Sequence, residues 1–244
     1  MTDLNDVKFG RLESKERSYE EIYSFKSLMI PMTLRVETIL KVPTQLRSFY
    51  NQGNLGACVG YSSSWMMSIY NNNPQQKYDA IWLYHQAQLN DDDPYTMIDA
   101  DNGTYVWSAL KVLQKQGHKK IEETKPDIND GIKSYYWCRN ANDIRTALAL
   151  GRPVVIGIPW YNAFMFPQLY NGEYWIGRDT KKLGQVLGGH AICIFASSDR
   201  KQAVKLVNSW GQQFPFVNLS YSLLDRLLSE GGEACVSIDN PKNS

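Results

Sequence analysis

The chain has 244 residues, 43% of them apolar and 21% charged, with 26 basic against 25 acidic side chains and a formal net charge of +1. That size and mix suit one large domain or two small lobes around a buried core and exclude a disordered or fibrous chain. The near-neutral charge, without a long basic block, gives no reason to expect nucleic acid as a partner. No apolar run approaches the roughly 20 residues that span a bilayer, so no membrane partner is expected. The N-terminus lacks the basic flank and apolar stretch of a secretory signal, so a cytoplasmic protein is expected.

In chain order, residues 1 to about 30 are polar and weakly periodic and read as an extension. From Leu28 to Leu46, Pro31 and Pro43 break a loose alternation, which predicts extended segments. Trp65, Met66, Ile69 and Tyr70 recur at three- to four-residue spacing and predict a helix from Cys58 to about Tyr70, stopped by Asn71-Asn72-Asn73-Pro74. A second helix is predicted over about Asp79 to Leu89, capped by its aspartate, and a third over about Tyr105 to Gln116, closed by Gly117. Asp91-Asp92-Asp93 lacks the rest of a calcium-loop pattern and reads as a solvated turn. After Pro126 a short helix is predicted from about Asn142 to Leu150, ended by Gly151. Strands follow at Val154 to Ile158, His190 to Phe195, Ala203 to Asn208 and Cys235 to Asp239. The first half is helical and the second mostly strand.

The four cysteines, Cys58, Cys138, Cys193 and Cys235, lie far apart, with no Cys-x-x-Cys pair and no histidine at metal spacing. Neither a metal site nor a disulfide framework is expected, and no cofactor is implied. A buried core role is the default for each cysteine. Cys58 differs because it follows a glycine-containing turn and opens a helix, where free backbone N–H groups and the helix dipole favour a thiolate. His85, inside a helix, and His118, after a helix-ending glycine, read as structural.

Three segments carry further meaning together. Gln52-Gly53-Asn54-Leu55-Gly56-Ala57-Cys58 resembles the active-site segment of the papain-like cysteine peptidases. Leu187-Gly188-Gly189-His190-Ala191 resembles that family's histidine segment, and Val207-Asn208-Ser209-Trp210-Gly211 its asparagine segment. His190 and Asn208 fall about 130 and 150 residues after Cys58, in the family's order and at its spacing. The resemblance runs from about Leu28 to Asp239. It implies an α+β, two-lobed papain-like fold over residues 31–240, with a helical lobe (about 50–120), an antiparallel β-barrel lobe (about 121–240) and the cleft between them.

The chemistry implied by the resemblance is peptide hydrolysis. Cys58 would attack as a thiolate ion-paired with His190, Asn208 would orient the imidazole, and Trp210 would shield that bond. Gln52 and the Cys58 backbone N–H would hold the oxyanion. The main-chain clamp on a polypeptide substrate would fall on Gly103 and Thr104. Val106, Gly157 and Ala191 would line a pocket for an apolar side chain two residues before the cut bond. Leu55 stands where extracellular members carry a disulfide cysteine, in keeping with a reducing compartment. Val59 replaces an aromatic residue, and the family's second Trp-Gly is missing after Gly211. No long helical propeptide is expected; the extension is expected to pack on the β lobe, the alternative being that it lies over the groove and controls access. Two other readings stay open: an isopeptidase or acyl transferase using the same pair, and an inactive protein that keeps the fold as an interaction surface. Nothing in the sequence implies an oligomeric state.

Overall fold

The computed structural model describes residues 7–14, 24–25, 37–72, 75–91, 93–97 and 100–238. A short strand, β1 (Glu37–Ile39), precedes three helices: α1 (Cys58–Asn71), α2 (Ala80–Asn90) and α3 (Val106–Lys115). Then come β2 (Ser134–Trp137), α4 (Ala141–Ala149), β3 (Val154–Tyr161), β4 (Gln168–Tyr170), β5 (Glu173–Trp175), β6 (Val186–Ser198), β7 (Ala203–Val207), β8 (Val217–Ser220), α5 (Tyr221–Ser229) and β9 (Glu233–Ile238).

The helix ends follow local chemistry. The Asp79 carboxylate accepts from the Trp82 N–H at the start of α2, Asn140 caps α4 through Asp143, and Ser220 caps α5 through Leu223. Asn72 ends α1 in a left-handed conformation with its N–H on the Ile69 carbonyl. The expected stop at Asn73-Pro74, the extended stretch over 28–36, most of the 1–30 extension and the strand end at Asp239 lie outside the described residues.

The strands form one sheet in the order β2-β9-β3-β6-β7-β8-β5-β4, with β1 also on β6. All pairs are antiparallel except β5 with β8. The closed, wholly antiparallel barrel expected of the second half is corrected here: among the described residues the end strands β2 and β4 do not pair with each other, and the sheet stays open.

Both cores use this sheet, because successive side chains of a strand face opposite ways. Val154, Ile156 and Ile158 of β3, with Ile192 and Ile194 of β6, pack under α4 and α5. Val155, Ala191, Cys193 and Cys235 face the other way, into a core with Trp65, Met66, Leu83, Val106 and Leu110 of the three N-terminal helices. Each such buried aliphatic side chain is worth about 1.5–3 kcal/mol. The four cysteines are buried thiols. No helix among the described residues is long and apolar enough to cross a membrane.

His118 is buried in the helical lobe, stacked on Tyr78 at 4.5 Å, with Nε2 2.9 Å from Ser64 Oγ. Burial lowers its pKa from 6.5 to about 3, and that of the equally buried His190 to about 4. In the unfolded chain both histidines take a proton near pH 6.5, whereas in the fold they resist it until about pH 3 to 4. Between these limits the unfolded state binds more protons, so stability should be full above pH 6.5 and fall as the pH drops, by up to about 1.4 kcal/mol per pH unit per histidine. Denaturant melts at pH 7 and pH 4 read this. His118→Asn should lower the midpoint at pH 7 and flatten the acid decline, and a decline of unchanged slope would show that His118 does not drive it.

Candidate active site

Cys58 is the first residue of α1, and the backbone N–H groups of Ala191, Gly10 and Val59 near its sulfur favour the ionised form. The helix start supplies one of these donors and β6 another, so the sulfur sits where α1 meets the strand carrying His190. On β6, His190 lies opposite Ile158 of β3. Its Nε2 is 2.9 Å from Oδ1 of Asn208, the residue after β7. That oxygen also accepts the Ser209 N–H at 2.8 Å, so Nε2 carries the proton and Nδ1 keeps a lone pair. Nδ1 is buried and has no hydrogen-bond partner. The fully buried Trp210 leans over the imidazole at 4.9 Å and Trp160 meets it edge-on at 4.7 Å, which fixes the ring and keeps water from the Asn208 bond.

Gln52 is buried against the same turn. Its N–H donates to the Ser209 carbonyl at 2.9 Å and its Oε1 accepts from Ser209 Oγ at 2.6 Å. Nε2 is thereby turned toward the cleft, where it donates to the carbonyls of Leu55 at 2.8 Å and Lys8 at 3.2 Å.

Lys8 belongs to a segment, residues 7–14, that lies in the groove and binds both of its walls. Thr104 N–H donates to the Gly10 carbonyl at 2.8 Å, Leu12 N–H to the Thr104 carbonyl at 3.0 Å, and Arg11 N–H to the Gly189 carbonyl at 3.0 Å. The segment thus spans both lobes, as in the alternative that the extension lies over the groove, rather than packing on the β lobe alone. The fit is backbone against backbone: a Cβ on Gly10 would stand 1.7 Å from the Gly56 carbonyl oxygen, and one on Gly103 2.0 Å from that of Gly10. Phe9 stands edge-on to His190 at 5.9 Å and to Trp210 at 6.3 Å.

With the groove filled, Cys58 and His190 are both 0% exposed. Burial pushes the Cys58 thiol up, against the opposing pull of the three N–H groups and the Arg11 charge, while it pushes the imidazole down to about 4. Both directions favour the neutral pair over the thiolate-imidazolium pair expected from sequence. The physical reason is desolvation: a charge-separated pair loses its water when a peptide seals the cleft.

The structure places the predicted pocket residues on β3, β6 and the start of α3. Thr104 makes both backbone hydrogen bonds to residues 10 and 12, with its Oγ1 anchored 2.7 Å from Asp91 Oδ2, while Gly103 closely approaches Gly10 and gives its own N–H and carbonyl to Tyr84 and Gln88. Asp91 is therefore part of the cleft wall's support, a role beyond a solvated turn. Gly157 and Ala191 face each other on β3 and β6. Val106 is buried at the start of α3. Sequence reading missed Glu233, which lies opposite Gly157 on β9 and is only 5% exposed. Its one legible signal is a carboxylate opening the otherwise apolar run Ala234-Cys235-Val236 after two glycines.

No protein-family model matches the chain. An uncharacterized peptidase C1-like protein of Acanthamoeba polyphaga mimivirus is 21% identical over 241 residues, covering 87% of this chain and 75% of the relative. Among solved structures, xylellain, a cysteine protease from Xylella fastidiosa, matches with a TM-score of 0.69 at 16% identity over 95% of this chain and 96% of its own. This is the papain-like fold. Digestive procathepsin L2 from the Tenebrio molitor larval midgut shares it with a TM-score of 0.61 at 16% identity, over 97% of this chain and 79% of its own. By architecture the chain shares the fold of these cysteine proteases, and it is similar over most of its length to a peptidase C1-like protein.

Proposed function

We propose that the chain is a cysteine peptidase acting on polypeptides in a reducing compartment, through Cys58, His190, Asn208 and Gln52. The observation that carries this reading is the chain's own segment 7–14. An extended peptide lies in the groove with one carbonyl on the Gln52 amide and one N–H close enough to the Cys58 sulfur to favour its thiolate, as a ligand of the site would. In the reaction, Nδ1 of His190 takes the thiol proton and the thiolate attacks the substrate carbonyl. Gln52 Nε2 and the Cys58 N–H hold the oxyanion as it forms. His190 then returns the proton to the leaving amine, and water, activated by the same imidazole, hydrolyses the thioester. Asn208 keeps the ring in the Nε2–H tautomer throughout, so that the basic nitrogen faces the thiol.

Gly10 presents its N–H to the sulfur and gives its carbonyl to the Thr104 N–H at 2.8 Å, so that carbonyl is not the one offered for attack. The test is a digest of a defined polypeptide mixture by the full chain, with new termini read by mass spectrometry. Cuts that disappear after iodoacetamide treatment support the reading. Joining of added amines to the acyl fragment in preference to water would convert it to a transferase. The closed groove favours one second reading, a fold kept as an interaction surface. It predicts no cuts even when the groove is opened.

A further inference from the structure

We infer that Asp101 is a positioning residue for the oxyanion site: by fixing one peptide group, it sets where Gln52 points its amide. That group joins Leu55 to Gly56. Its carbonyl oxygen accepts from Gln52 Nε2 at 2.8 Å, and its N–H donates to Asp101 Oδ1 at 2.9 Å. A peptide group is planar, with C=O and N–H directed to opposite sides, so a partner on one end sets the direction of the other. Gln52 Nε2 carries two hydrogens. One is committed to Leu55, and the other is thereby aimed into the groove, where it meets the Lys8 carbonyl at 3.2 Å. The Asp101 charge also draws on the Gly56 N–H and so makes the Leu55 oxygen a stronger acceptor for the amide.

The carboxylate is itself anchored. Oδ1 also accepts from the Tyr84 hydroxyl at 3.0 Å, and the hydroxyl oxygen accepts the Gly103 N–H at 3.1 Å and Gln88 Nε2 at 3.0 Å. Burial pushes the Tyr84 phenol up, and the nearby Asp101 charge pushes the same way, so the phenol keeps its proton and donates. One oxygen thus ties the turn before Cys58 to the wall that carries Thr104, across 45 positions of sequence. Oδ2 pairs with Lys8 Nζ at 2.8 Å, a contact that leaves when the segment does. Asp101 stands at φ 46°, a left-handed conformation that aspartate tolerates better than most side chains and glycine enters freely. Glycine therefore removes the carboxylate without straining the turn, and a residue kept for its backbone alone would be replaceable by it.

The catalytic half of this inference rests on the peptidase reading; the positioning half does not, and the experiment separates them. Both are read in the full chain opened by Gly10→Val, or by Leu12→Pro where the first variant does not fold, so that Lys8 no longer touches either group. With a peptide carrying a fluorogenic leaving group, Asp101→Gly should lower kcat by about 10- to 100-fold and leave KM within about threefold, since an oxyanion donor acts in the transition state. Asp101→Ser, too short to reach Gly56, takes its place where the glycine chain does not fold. Asp101→Asn, whose amide oxygen can accept both bonds of Oδ1, should hold kcat within about fivefold of the parent. Gln52→Ala removes the donor, and in that background Asp101→Gly should lower kcat by less than about threefold more. Equal losses in the two backgrounds, or an Asp101→Gly chain that cleaves like its parent, overturn the inference. Absence of cleavage by the parent itself refutes the peptidase reading, and the Gln52 side-chain amide, followed by NMR, then decides the rest. Its protons should exchange with water about tenfold or more faster in Asp101→Gly and at the parent rate in Asp101→Asn. Unchanged exchange in Asp101→Gly overturns the positioning role as well.

Discussion

Gly10→Val is expected to raise the rate of Cys58 alkylation by iodoacetamide at pH 7 by at least about tenfold, because each pKa unit of thiol depression multiplies the thiolate fraction by ten. The substituted residue cannot stay where Gly10 is, since its Cβ would fall 1.7 Å from a backbone oxygen that has no room to give. Expelling the segment removes the N–H of Gly10 and the charge of Arg11, both of which favour thiolate. It also admits water, and burial is the largest cause of the raised thiol pKa, so the net change is downward. In the unaltered chain the alkylation profile should have its midpoint above pH 9.0, the thiol's ordinary value, because the shift is upward. In the variant the midpoint should move to lower pH. Coincident profiles would mean that the segment does not control the sulfur.

The second large effect concerns the imidazole. His190→Ala in the opened chain should reduce peptide cleavage by roughly 10⁴-fold or more, as removal of a general base does when it also serves as the acid for the leaving group. Cys58 should still alkylate at alkaline pH, which separates loss of proton transfer from loss of fold. Asn208→Ala should cost less, about 10- to 100-fold, because the ring is also held by Trp210 and Trp160 and loses mainly its tautomer preference. A His190→Ala chain that cleaves within tenfold of its parent would remove His190 from the reaction.

The elements that sequence made legible are those whose periodicity is local. The helix at Cys58 runs to Asn71, that at Asp79 begins one residue later with the aspartate as its cap, and the apolar runs at Val154 and His190 are strands, each longer than expected. Helix α5 went unread although Leu223, Leu224, Leu227 and Leu228 share its buried face, because β8, which feeds directly into it, is only four residues long and marks no boundary. The motif residues stand out in the sequence because type, order and interval all agree with the family pattern. Residues 7–14 carry no such mark: their partners are backbone groups of two distant segments, and backbone contacts leave no pattern in side chains. Glu233 was hidden for a related reason, since its meaning lies in a pairing with Arg11 across 222 positions.

The continuous sheet has a mechanical implication for how such a cleft is regulated. Alternate residues of β3 and β6 serve the two cores, and the Cys58 sulfur lies by the Ala191 N–H of the same strand that carries His190. The two halves are therefore riveted along a shared plate and cannot swing apart like a clamshell without tearing both interiors. Access is governed by evicting an occupant from a rigid slot, and hydrogen exchange should record this as loss of protection at residues 10–12 with β3 and β6 unchanged.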